Sequence, residues 1–192
     1  MHRILDIRAA DRCAVVEPGV LNGDLQQALQ AHGLFWPPDP SSADTCSVGG
    51  NLATNAGGPR AVKYGATRDN VLGLVAVTGS GELIRCGGPY TKLSSGFDLT
   101  RLLVGSEGSL ALIVEATLKL SPLPQAQAGL RAFYRDAASA AAAVARLMAQ
   151  PVVPAMLEFI DRRRIEMMRR KGREVTEEGE MLMIEEEGRQ EA

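Results

Sequence analysis

The chain reads as an α+β protein, and three observations predict that class. Residues 71 to 78 (VLGLVAVT) and 82 to 86 (ELIRC) flank Gly79-Ser80-Gly81, the pattern of two strands joined by a glycine hairpin. Residues 110 to 120 (LALIVEATLKL) form a long strand with β-branched residues. Helical patterns stand apart from these strands, at residues 22 to 33 and in an alanine-rich stretch that ends at Ala149.

Residues 13 to 20 close on Pro18-Gly19, which gives a short buried strand and then a turn. Asn22 is placed as an N-cap, Leu25, Ala28 and Leu29 share one helix face, and Gly33 stops that helix. A long loop follows, then the hairpin, then a short helix at 98 to 103. The tight glycine loop Gly105-Ser106-Glu107-Gly108-Ser109 leads into the long strand. SPLPQAQ at 121 to 127 interrupts both patterns and marks a joint between domains. Beyond it, residues 130 to 134 read as a strand and Asp136 as the cap of the alanine-rich helix. Residues 158 to 171 read as a charged helix with an exposed, salt-bridged arginine cluster, and 181 to 184 as a strand. The acidic end from Glu185 onward reads as a solvated terminus.

Composition narrows the function. With 21 basic and 23 acidic side chains the 192-residue chain carries a formal charge of -2, which gives no electrostatic case for nucleic acid. No apolar run is long enough to span a bilayer, and the first residues lack the hydrophobic core of a signal peptide, so the expectation is a cytoplasmic protein. Cys13, Cys46 and Cys86 are odd in number and widely spaced, which indicates reduced, core-filling thiols and neither a disulfide framework nor a metal site.

The chemistry concentrates in residues 37 to 58, PPDPSSADTCSVGGNLATNAGG. Gly49, Gly50, Gly57 and Gly58 are expected to take positive φ and to bring successive N–H groups close to an anion. Ser41, Ser42, Thr45, Ser47 and Thr54 add hydroxyls, and Asn51 and Asn55 add amides. No acidic residue lies between Thr45 and Gly58, which suits a diphosphate.

Together PPDPSS at 37 to 42, CSVGGNLATNAGG at 46 to 58, KYGATRDNVLGL at 63 to 74 and FDLTRLLVGSEGSLALIVEATLKLSP at 97 to 122 resemble the FAD-linked oxidase family with a vanillyl-alcohol-oxidase or PCMH-type flavin domain. The branch they resemble most is that of glycolate oxidase FAD subunits and D-lactate dehydrogenases. PAMLEFIDR at 154 to 162 is a weaker echo of the family's cap domain.

The resemblance implies non-covalent FAD. It implies an FAD-binding domain at 1–122 that lacks most of its first subdomain, and an incomplete cap domain at 123–192. It implies oxidation of a small D-2-hydroxy acid to the 2-oxo acid, with an electron-transfer or complementary subunit as partner. By the same resemblance Pro38, Asp39, Pro40, Ser41, Ser42, Cys46, Ser47, Gly49, Gly50 and Asn51 line the diphosphate and ribityl region. Thr54, Asn55, Gly57 and Gly58 approach the flavin end, and Tyr64, Gly65, Thr67 and Asp69 shape the wall beside it. Gly105, Ser106, Glu107 and Gly108, with the backbone near Ile113, close the site. Glu107 is either a ligand-side group or a loop-stabilising carboxylate. Ala111 replaces a glycine common in the family and would crowd the backbone if positive φ were required there. Only His2 and His32 are present, so the paired histidines of the family are missing and no catalytic base is named. The alternative is a non-catalytic flavin-binding or assembly module, or one part of a split enzyme.

Overall fold

The computed structural model describes residues 1–172, 175 and 179–188. The chain divides into two compact units, Met1–Leu123 and Pro124–Ala192.

In the first unit an antiparallel sheet has the order β1-β2-β6-β4-β5. Its strands are β1 (Ile4–Arg8), β2 (Cys13–Val16), β4 (Val71–Thr78), β5 (Leu83–Gly87) and β6 (Ala111–Lys119). A small ribbon pairs β3 (Leu34–Phe35) with β7 (Ser121–Pro122). The predicted hairpin forms, with Val77 opposite Leu83 and Gly81 at φ +84° closing the turn. β1 is not evident in the sequence, because ILDIR alternates poorly; pairing with β2 organises it.

Helices α1 (Asn22–Gln30), α2 (Val48–Thr54), α3 (Ala61–Tyr64) and α4 (Leu99–Leu103) complete the unit, with a 3₁₀ turn at Thr67–Asn70. Leu25, Leu29, Trp36, Val48 and Leu52 join Ala14, Val16, Leu74, Ala116 and Leu118 in one core. Each leucine or valine among them stabilises the fold by about 1.5–3 kcal/mol through the apolar area it removes from water. Trp36 is fully buried and donates its indole N–H to the Asn70 carbonyl at 3.0 Å.

Asn22 is not the N-cap of α1. That position belongs to Leu21, and Asn22 is the first helical residue, buried, with Nδ2 donating to the Pro38 carbonyl at 3.2 Å. Its amide ties the helix to the proline loop, a stronger use for a buried polar group than capping. The stretch 37 to 58 is likewise not all loop, since α2 occupies its middle. Ser47 Oγ accepts from the Gly50 N–H at 3.0 Å to start that helix, and Asn55 ends it at φ 50°.

The second unit is an antiparallel sheet of order β8-β10-β9 with helices α5 (Ala137–Met148) and α6 (Arg162–Arg170). The strands are β8 (Ala126–Tyr134), β9 (Met156–Ile160) and β10 (Glu180–Gly188). Asp136 caps α5 as expected, accepting from the Ser139 N–H at 2.8 Å. Three expectations are corrected. Residues 158 to 160 belong to β9, not to the charged helix, because they pair with β10 and Asp161 provides the cap, accepting from the Arg164 N–H at 2.7 Å. β8 and β10 are longer than 130 to 134 and 181 to 184. Glu185, Glu186 and Glu187 are not a solvated tail, since they pair with Gly129, Ala128 and Gln127. Residues 189 to 192 of that predicted tail lie outside the described residues.

Candidate functional site

The glycines of α2 do not behave as the sequence suggests. Gly49, Gly50, Gly57 and Gly58 all lack positive φ; in the loops around them that conformation falls on Asn55 (φ 50°), Gly65 (φ 76°), Gly105 (φ 88°), Glu107 (φ 51°) and Gly108 (φ 78°). The close approaches made by Gly49 and Gly58 are to the chain itself. A Cβ on Gly49 would lie 2.6 Å from Pro18 Cβ and 2.8 Å from its carbonyl oxygen, and a Cβ on Gly58 would overlap Asp39. The expected nest of free amides is also spoken for. Val48, Gly49 and Gly50 donate to the Val20 carbonyl, the Pro18 carbonyl and Ser47 Oγ. α2 is therefore fixed against the turn after β2 by its first amides.

The proline loop is held from two sides. Asp39 Oδ1 accepts from the Arg60 N–H at 3.2 Å, next to Gly58, and the Pro38 carbonyl takes the Asn22 amide. The Ser42 carbonyl accepts from the N–H groups of Thr45 and Cys46, which leaves Ser41 and Ser42 exposed and Cys46 half-buried. Pro40 sits at the turn that accepts from Ala43. Thr54 Oγ1 donates back to the Gly50 carbonyl at 3.0 Å, so its hydroxyl serves the helix.

After α2 the chain turns through Asn55, whose Oδ1 accepts from the Arg68 N–H at 2.8 Å. Thr67 is fully buried and donates to the Ala56 carbonyl at 2.7 Å. Tyr64 stacks edge-on against Phe35 with ring centroids 5.4 Å apart. Asp69 accepts from the Ala66 N–H at 3.0 Å, contacts the Arg101 guanidinium and sits where a Cβ on Gly65 would go. The hydrogen bond from Arg101 is the chief reason its carboxyl is held below the usual carboxylate range. Asp69 thus braces the loops.

The Gly105–Ser109 loop docks on the far end of α2. Gly105 N–H donates to the Leu52 carbonyl at 2.8 Å and Glu107 N–H to the Ala53 carbonyl at 3.0 Å, which satisfies carbonyls that the helix end leaves open. Arg68 Nη2 donates to the Val104 carbonyl at 2.7 Å beside them. The Glu107 side chain is exposed. Ala111 is not strained, because it opens β6 without a positive φ.

These contacts leave a cleft of about 330 Å³, lined by Pro18, Gly19, Ser47, Gly49, Ala53, Ser106, Gly108, Ala111, Leu112 and Ile113. It brings together Ser47, Gly49, Ser106, Gly108 and Ile113 of the predicted set. Pro38 to Ser42, Cys46, Gly50, Asn51, Thr54, Asn55, Gly57, Gly58, Tyr64, Gly65, Thr67, Asp69, Gly105 and Glu107 lie outside its lining. Asp69 and Arg68 instead border a depression of about 440 Å³ beside residues 87 to 101. The sequence reading missed Pro18, Gly19, Ala53, Ala111 and Leu112 as lining residues; the only signal was the Pro-Gly pair, which reads equally well as a plain turn. None of the lining side chains is titratable, and their small size leaves backbone at the surface.

A buried amide on α2 lacks a partner. Asn51 on α2 is 2% exposed and its Nδ2 donates to nothing among the described residues, a cost of about 1–3 kcal/mol for an isolated donor. A small-residue cleft without carboxylates fits an elongated cofactor rich in oxygen acceptors. Among the described residues there is no group of three or more His, Cys, Asp or Glu side chains that could hold a metal ion, and no helix long and apolar enough to cross a membrane.

The class of protein comes from two family models. Residues 1–87 match the FAD binding domain family, and residues 123–192 match the C-terminal domain of FAD linked oxidases. The chain belongs to the FAD-linked oxidase family, and FAD is the cofactor that family uses.

It is 46% identical over 161 residues to the glycolate oxidase subunit GlcD of Bacillus subtilis, covering 84% of this chain and 34% of that protein. It is 40% identical over 162 residues to a D-lactate dehydrogenase of Anaerostipes hadrus, again covering 84% and 34%. It therefore spans about a third (34%) of the length of these curated relatives. A solved structure of alkyldihydroxyacetonephosphate synthase superposes with a TM-score of 0.80 at 24% identity, covering 98% of this chain and 37% of that one, which shows the shared PCMH-type fold.

Proposed function

We propose that the cleft beside α2 is one wall of an FAD site, and that the chain belongs to a machine oxidising a small D-2-hydroxy acid such as glycolate or D-lactate to the 2-oxo acid. The observation that carries this reading is the neutral, small-residue cleft along α2. Ser47, Gly49 and Asn51 would face the diphosphate and ribityl part. Gly108 and Ile113 would close over it, and the Asn55 turn, with Thr54, Gly57 and Gly58, would lie toward the flavin end. Pro38 to Ser42 and Cys46 would continue that lining from the proline loop, with Tyr64, Gly65, Thr67 and Asp69 as its side wall.

A flavin held there would supply the hydride acceptor for the substrate carbon. The chain's own contribution is to hold, orient and shield. The cleft lining offers no side chain to take the hydroxyl proton, so the base and the ligands of the substrate carboxylate come from elsewhere. The substrate class rests on the glycolate oxidase and D-lactate dehydrogenase relatives, and a complementary polypeptide as partner fits the subunit named among them.

The test is to add FAD to the purified chain, remove the excess by desalting and record the flavin absorbance band. Dye reduction with glycolate or D-lactate is then measured with and without a co-expressed neighbouring polypeptide. A retained band supports the cofactor site, and its absence under both conditions sinks it. Retention without dye reduction in either condition would make the chain a binding or assembly module.

A further inference from the structure

We infer that Arg68 is a positioning residue, a latch that holds the Gly105–Ser109 loop against the end of α2 so that this loop forms one side of the cleft. The inference rests on the proposed FAD site for its consequence but not for its geometry. Three contacts converge on this residue. Its backbone N–H donates to Asn55 Oδ1 at 2.8 Å, which fixes where the residue starts. Its Nη2 reaches across a sequence separation of 36 residues to the Val104 carbonyl at 2.7 Å. Gly105 then packs so closely that a Cβ there would lie 2.8 Å from Nη2 and 3.0 Å from Asn55 Cβ.

The loop beyond is short of other anchors. Gly105 and Glu107 hold it by two backbone hydrogen bonds to Leu52 and Ala53, and its own Ser109 contacts Ser106 internally. Ser106 and Gly108 from this loop line the cleft, whereas Arg68 does not. Arg68 Nε is buried without an acceptor, a cost that side-chain freedom would relieve if the guanidinium were not committed to Val104. A charged donor bonded to a carbonyl at a half-buried site is among the stronger single hydrogen bonds available to a loop. Asn55, in the left-handed conformation that ends α2, thus couples the helix terminus to the latch, and the latch to the cleft.

The test compares the purified chain with Arg68→Met, which keeps length and apolar stem but removes every donor, and with Gly105→Ala, which disturbs the same contact from the other side. Amide hydrogen exchange is read at Gly105 and Glu107 and, as a reference, along the β4–β6 ladder. The latch predicts that both loop amides lose protection on the order of tenfold or more while the ladder keeps it, the size of effect one charge-assisted bond corresponds to. Unchanged loop protection overturns the latch, as does a uniform loss across loop and ladder, which would show a merely structural role. FAD titration then reads the consequence, an affinity lowered on the order of tenfold in both variants. Freed loop amides with unchanged FAD affinity overturn the claim that the latch serves the cleft. If the unaltered chain takes no FAD, the cofactor reading fails while the exchange data still decide the latch.

Discussion

Two glycines at equivalent helix positions should respond oppositely to a single methyl group. Gly23 is the second residue of α1 and Gly49 the second residue of α2, and neither has a positive φ. A Cβ at Gly23 meets nothing within 4 Å, whereas at Gly49 it meets Pro18 Cβ at 2.6 Å and its carbonyl oxygen at 2.8 Å. That carbonyl also accepts the Gly49 N–H at 2.7 Å, so relief of the clash must lengthen the bond. Overpacking of this kind costs about 1–3 kcal/mol. Weakening the hydrogen bond adds about 0.5–1.5 kcal/mol. The helix preference for alanine over glycine returns about 0.5–1 kcal/mol. Gly49→Ala should therefore lose about 2 kcal/mol, and Gly23→Ala should be unchanged or gain up to about 0.5 kcal/mol, helix propensity being weakest in a first turn.

Urea unfolding followed by tryptophan fluorescence measures this well, because the single tryptophan, Trp36, is fully buried in the first unit and reports on it selectively. At a typical slope of about 2 kcal/mol per molar urea, the Gly49→Ala midpoint falls by about 1 M. Equal midpoints for the two variants would refute the reasoning, since they would show that the Pro18 contact relaxes at no cost.

Three further outcomes follow from single residues. The Glu17 carboxyl is pulled down from an ordinary 4.5 to about 2, chiefly by the hydrogen bond from the Arg3 side chain at 2.8 Å and also by the Arg3 backbone N–H. A depressed folded value stabilises fully above 4.5 and is lost as pH falls from 4.5 toward 2, so Glu17→Gln should flatten the acid limb of the stability curve in that window and leave neutral pH slopes alone. Asn51→Leu removes the orphaned donor at nearly constant shape, so chemical unfolding of the apo chain should show it stabler by about 1 kcal/mol, while FAD titration shows weaker binding. Trp36→Phe deprives the Asn70 carbonyl of its indole donor and leaves a void, and circular-dichroism melts should report a loss of about 2 kcal/mol or more.

Much of the fold was legible because it follows from local chemistry. The Gly79-Ser80-Gly81 hairpin, the Asp136 cap and the strand after the glycine loop all form where turn chemistry and patterning place them. Failures occur where a tertiary partner decides the outcome. ILDIR becomes a strand only through β2, and Glu185 to Glu187 join a ladder despite their charge because β8 supplies the pairing. For the candidate site, Ser47, Gly49, Ser106, Gly108 and Ile113 could be picked out from motif residues, and the structure gathers them around one cleft. Pro18, Ala53 and Leu112 could not, since small or apolar residues carry no chemical signature until the fold exposes one side of them. Residue type also misled at the double glycines: Gly49 and Gly58 are small because the chain passes over itself.

The bonding of Val48 and Gly49 to the turn after β2, and of Gly50 to the Ser47 hydroxyl, bears on how a ligand would be received. A wall whose amides are already engaged has little conformational freedom left to surrender, so its share of the association entropy is small. Such preorganisation leaves what adjustment a ligand demands to the Gly105–Ser109 loop, which meets α2 through two backbone hydrogen bonds and the Arg68 contact at Val104.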